Sequence, residues 1–380
     1  MFRAREYDPA VLTHVDADAA QRRAAEVVEW AKKNFSDRKY ADAHRRLTVQ
    51  WLPKWTFDAH AARYSGDPAH DIIGISSGVP IALHDDAETF LRWVEKEISH
   101  SSYDEIYENI GILKMRGLPP GLDRVAAVDR MFRMTMAWLY LHEQAHLFQR
   151  HADLPKIATS QGLIEEFSGH DGDNRRGSEA AARHACELSA DHEATVLALQ
   201  LMLLADDQEV RPGTLWLFFA GLACMFQRFY GSGERWIMDE AIGTHPPPSY
   251  RVWLTRKLMI DFIMHPKVIG RAKGLRGIVH LNAVLDHAVV TAAMYWNARY
   301  NTGQPVDDFL NGAAGLKAVN FGYQKQIFET WRVLRPRVVD MHFGWGTDSL
   351  LELTAPDVIA SARQKTQSLS EASGTSGADG

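Results

Sequence analysis

The sequence predicts an α+β protein that is mostly helical, with a small upstream sheet and extra C-terminal helices. Three observations predict it. Large apolar residues recur at helical spacing between caps and Gly or Pro stops over residues 124–152, 179–205 and 212–230. Residues 71–83 are rich in Ile, Val, Gly and Ser and read as one or two strands, and 106–115 also reads as extended. The chain has 380 residues, 46% hydrophobic and 24% charged, enough for one large or two modest domains with a substantial core. The expected organisation is a helical region over 1–70, a central core over 71–262, a helical region over 263–363 and a disordered Ser/Gly/Ala/Thr-rich tail over 364–380.

Each element has a local justification. Asp16 or Asp18 starts a first helix whose inward positions are Ala24, Val27, Val28, Ala31 and Phe35. Residues 36–70 are mixed, with Trp51 and Trp55 flanking Pro53. Asp85 or Asp86 caps a short helix with Phe90, Leu91, Val94 and Ile98 inward. After Pro119-Pro120-Gly121, Asp123 caps a long helix carrying Met131, Phe132, Met134, Trp138 and Leu141; it runs through residue 151 until Asp153-Leu154-Pro155 stops it. Residues 156–177 form a polar, Gly-rich loop. Ser178 caps a helix over 179–205, and Arg211-Pro212-Gly213-Thr214 opens another that Gly231-Ser232-Gly233 ends. A further helix starts at Pro248 or Ser249, and others lie near 275–300, 317–335 and 356–365. Trp296, Trp331 and Trp345 belong to core or interface.

The chemistry lies late in the long apolar helix, in His142-Glu143-Gln144-Ala145-His146. On a helix the two histidines stand one turn apart on one face, where both imidazoles can bind one zinc ion, and Glu143 beside them is a candidate general base. Zinc needs a third protein ligand. His151 lies nine residues after His142 on the same predicted helix and is rejected. Glu187 is the better candidate, with Asp191 one turn further, placed to accept a hydrogen bond from the outer N–H of a zinc-binding imidazole. His184, His192 and Glu193 rank below it because none has a comparable partner one turn away. In Thr244-His245-Pro246-Pro247-Pro248-Ser249-Tyr250-Arg251 three prolines stiffen the loop. There His245 is a candidate hydrogen-bond donor to a transition state, and Arg251 a partner for a carbonyl or carboxylate.

HExxH, then Glu187-x-x-Ala190-Asp191, then Thr244-His245-Pro-Pro-Pro-Ser249-x-Arg251 resembles the HtpX-type gluzincin family, which includes the prenyl-protein proteases. The resemblance spans about residues 124–256. It implies a zincin-like metallopeptidase core, a single Zn2+ held by His142, His146 and Glu187, Glu143 as base, Asp191 behind the ligands, and His245 and Arg251 beside the active site. It also implies that an edge strand upstream of the zinc helix binds the substrate backbone, either in 71–83 or in 106–115. A second likeness, to the phage-exclusion peptidase Lit, rests on HExxH alone.

The expected activity is that of a soluble zinc endopeptidase acting on a peptide or protein substrate. Net charge is −6 with no basic block, which argues against nucleic acid as a partner. The N-terminus lacks the apolar stretch of a signal peptide, and the longest fully apolar run, residues 215–226, is too short to span a bilayer. Cys186 and Cys224, both in predicted helices, suit a reducing compartment, so the expected location is cytoplasmic. Two alternatives stand beside this, a non-catalytic or regulatory zinc-binding helical scaffold and a latent defence or toxin protease with one target; a regulatory protein is a further candidate partner.

Overall fold

The computed structural model describes residues 16–96, 118, 123–154, 176–205, 210–230, 240–300, 321–346 and 350–353. Ile98, the extended segment at 106–115, nearly all of the 156–177 loop, the 356–365 helix and the tail lie outside the described residues. Among those described, helices dominate and one three-stranded sheet is present.

Helix α1 (Ala17–Ala31) begins at Asp16, whose carboxylate accepts from the Ala19 N–H, and it buries Ala24, Val27, Val28 and Ala31. A short π-helical turn, Lys32–Ser36, leads into α2 (Asp37–Asp42). The sheet follows as β1 (Arg46–Leu52), β2 (Ala59–Arg63) and β3 (His70–Ser76). Its order is β1-β3-β2, with β1 parallel and β2 antiparallel to β3. Because β3 is paired on both sides, it has no free edge. The expectation that 71–83 offers an edge strand is therefore corrected.

Helix α3 (Gly78–Lys96) starts at Gly78, not at Asp85 or Asp86. Residues 78–83 are thus helical rather than extended, and the two aspartates lie inside the helix. Both are buried because cations reach them from distant helices: Asp86 accepts from Arg228 Nε at 2.7 Å, and Asp85 pairs with Arg299.

Helix α4 (Arg124–Phe148) is the centre of the molecule. Asp123 caps it, accepting from the Ala126 N–H at 2.9 Å, and every residue from Met134 to Phe148 is buried. It packs against α5 (Gly177–Ala205), α6 (Pro212–Tyr230), α3, α1 and β2. Gly221 lets α6 approach closely, since a Cβ there would collide with Thr135 Oγ1 and crowd Met131. The expected run through residue 151 is also corrected. The helix ends at Phe148, Arg150 takes a left-handed φ of 56°, and His151–Asp153 form a 3-10 turn.

Helix α7 (Pro248–Met264) places Pro248 in its first turn, where the missing N–H does no harm. Then come α8 (Ile278–Tyr300) and α9 (Phe321–Met341). By length and composition alone α8 could cross a membrane, yet 61% of its most apolar window is buried. The main core joins α1, the sheet, α3, α4, α6, α8 and the second half of α5. A smaller cluster joins the first half of α5 to α7 and α9 and takes in Trp331. Trp296 is buried, whereas Trp345 is 39% exposed.

Candidate metal centre

The site forms where α4 and α5 cross. One turn of α4 projects His142 and His146, and α5 supplies Glu187; all three are buried. A ligand atom from each lies within 4.8 Å of the other two. The two Nε2 atoms face each other at 3.2 Å. His142 Nε2 stands 3.5 Å from Glu187 Oε2, and His146 Nε2 3.5 Å from Glu187 Oε1. Zinc bonds of about 2.0–2.2 Å at tetrahedral angles separate neighbouring ligand atoms by about 3.3–3.6 Å. The nitrogen pair and each nitrogen's nearer Glu187 oxygen, a different oxygen for each, stand close to that spacing. Two imidazoles and one carboxylate are a donor set suited to a divalent transition-metal ion. The cluster could therefore hold a metal ion without large rearrangement.

The surroundings orient the donors. His142 Nδ1 stands 2.9 Å from Asp191 Oδ1, one turn beyond Glu187 on α5. Asp191 in turn accepts two bonds from Arg251 of α7, at 2.7 Å from Nε and 2.6 Å from Nη2. The Arg251 guanidinium is 1% exposed and lies 4.5 Å from the centre of the Phe226 ring. Trp138, one turn before His142, stacks on its imidazole at 5.1 Å and 18°, and its indole N–H donates to Thr195 Oγ1. The ring is thus fixed at one nitrogen and on one face while Nε2 points at the site.

Electrostatics follow this geometry. Burial alone would raise the Asp191 carboxyl, but Arg251 and His142 hold it below the usual carboxylate range. Burial likewise opposes charge on Glu187, yet His245, His142 and His146 keep it well below its ordinary value. Burial disfavours a cationic His142, but the bonds to Asp191 and Glu187 outweigh it and push the imidazole up to about 10.

Glu143, next to His142 in the same helical turn, is completely buried, and its charge is felt by Arg251. His245 precedes α7; its Nε2 lies 4.0 Å from Glu187 Oε2, and its Nδ1 contacts Thr244 Oγ1 at 2.8 Å. It is 17% exposed, against 5% or less for the side chains of His142, His146, Glu187, Asp191 and Arg251. All seven residues singled out in the sequence therefore gather at one place. His184, His192 and Glu193 do not join the donor triangle.

Sequence reasoning missed a row of polar residues behind His146. His151 Nδ1 lies 2.8 Å from His146 Nδ1, and Gln149, Ser189, Glu193 and His342 continue outward from it. The only hint was that His151 falls near the stop signal, where a reversal of the chain is possible.

No protein-family model, curated protein or solved structure matches this chain.

Proposed function

We propose that the protein is a zinc-dependent endopeptidase built on a zincin-like core. The observation that carries this is the position of Glu143. A fully buried carboxylate directly follows His142 on the helix whose two imidazoles converge with Glu187, and its charge is felt by Arg251 of the same cluster. A purely structural metal site has no use for it. When bound, zinc supplies Lewis acidity, polarising a peptide carbonyl and making water a stronger acid.

The chain's own residues do the rest. Glu143 takes the proton from the attacking water and returns it to the leaving amine. His245, the most exposed of the group, donates a hydrogen bond to the negative charge that develops on the carbonyl oxygen. Asp191 and Arg251 keep His142 in place. Strand β2 stands at one end of the three-strand order and packs on α4.

The test compares wild type with Glu143→Gln on a broad peptide library, with metal content measured in both. Wild type is expected to cleave with one zinc bound. The variant should keep its zinc and lose about 10²–10⁴-fold in rate. Equal cleavage by both would refute the role of Glu143. A wild type that binds zinc but cleaves nothing would favour a binding scaffold.

A further inference from the structure

We infer that His151 is a positioning residue for His146, and that a buried hydrogen-bond chain running out to His342 dictates which His146 nitrogen carries the proton. The inference rests on the metal-centre reading and deepens it.

The logic runs inward from the far end. Gln149 Nε2 lies 3.1 Å from the Ser189 backbone carbonyl and 2.9 Å from Glu193 Oε2. Both are acceptors only, so this atom must be the amide NH2. The other atom, Oε1, therefore accepts, and it receives the Ser189 hydroxyl at 2.6 Å. His151 Nε2 stands 2.9 Å from the same Oε1 and so must be the N–H donor. With His151 neutral, as complete burial favours, its Nδ1 is bare. Across a 2.8 Å contact, His146 Nδ1 must then carry a proton and donate it. In a neutral His146, the form that can ligate a metal, Nε2 is then bare, facing the Glu187 carboxylate and His142. The tautomer needed for metal ligation is thus set by the outer groups alone.

The chain is anchored at its outer end. Glu193 Oε1 accepts from His342 Nε2 at 2.9 Å, one residue past α9. Gln149, His151, Ser189 and Glu193 are each 0% exposed. Gly344 closes over the end so tightly that a Cβ there would lie 2.9 Å from Glu193 Oε1. Arg150 makes the geometry possible, because its left-handed backbone turns His151 back onto the helix it has just left.

The test measures zinc affinity by chelator competition on the full chain, with urea unfolding of the metal-free proteins alongside. His151→Phe keeps the ring volume and removes both nitrogens; it should bind zinc about 10–100-fold more weakly. His151→Asn places an amide oxygen near the lost Nδ1 and should recover affinity to within about threefold of wild type. A merely structural role would weaken folding in both without separating their affinities. Full zinc affinity in His151→Phe, or no rescue by Asn, overturns the inference while the metal centre stands. A wild type that binds no zinc removes the metal centre as well. Should His151→Phe fail to fold, nitrogen-15 spectra of zinc-loaded wild type decide. His151 protonated at Nε2 supports the chain of bonds; protonation at Nδ1 overturns it.

Discussion

Replacing Asp191 with Asn keeps the shape of the side chain and removes its charge. Oδ1 of Asp191 faces both His142 Nδ1 at 2.9 Å and Arg251 Nη2 at 2.6 Å, while Oδ2 faces only Arg251 Nε at 2.7 Å. The asparagine oxygen will therefore take the Oδ1 position, where it still accepts from Arg251 Nη2 and faces His142 Nδ1. Its NH2 then points at the Arg251 Nε–H, donor against donor. A guanidinium that is 1% exposed is left without its counterion. Stranding one partner of a buried pair costs about 3–5 kcal/mol, and disturbing the support of a ligand weakens zinc binding by about 10–100-fold. Urea unfolding followed by tryptophan fluorescence measures the first figure and chelator competition the second. The control is the double variant Asp191→Asn/Arg251→Met, which removes the stranded cation and leaves an apolar chain beside Phe226. It should unfold within about 1–2 kcal/mol of wild type. If Asp191→Asn lost under about 1 kcal/mol, or the double variant were less stable than the single, the electrostatic account of this site would be refuted.

Gly344→Ala would place a Cβ 2.7 Å from His342 Nε2, 2.8 Å from Phe148 Cδ2 and 2.9 Å from Glu193 Oε1. Such overpacking costs about 1–3 kcal/mol, so urea should unfold the variant earlier; an unchanged midpoint would show that this segment is slack. Stability should also fall with acid through His287, which burial pushes down to about 4 and whose Nδ1 accepts from the Trp216 indole. Its unfolded value is near 6.5, so the unfolded chain takes up the proton first. Its contribution is complete above about pH 6.5 and is lost progressively toward pH 4, by about 3 kcal/mol in all. His287→Asn, which still offers Trp216 an acceptor, should lose that much less over the same window, and equal losses would exclude His287 as the cause.

The sequence carried the site further than it carried the fold. Caps at Asp16 and Asp123 and the Pro248 start are local and were legible, because their chemistry lies within one turn. The donor triangle was legible because one helical turn fixes His142 against His146, and the next helix offers Glu187 and Asp191 at the same period. The start of α3 was not, because a short apolar run such as residues 79–83 fits strand and buried helix equally well. Asp85 and Asp86 resemble caps until Arg228 and Arg299 arrive from far along the chain. Strands β1 and β2 lack a buried, alternating face that would announce them. His151 was rejected on a helix drawn too long. Nothing in the local residues announces the left-handed turn at Arg150, which only the packing of His151 beneath His146 explains.

His342 lies far beyond the three donors in sequence, so the outermost support of the site is made long after the residues it supports. A nascent polypeptide that has emerged only as far as α7 already carries every proposed ligand, the base and Arg251. It still lacks the clamp on Glu193. The clamp on Glu193 is thus added to the cluster by a segment made well after the cluster itself.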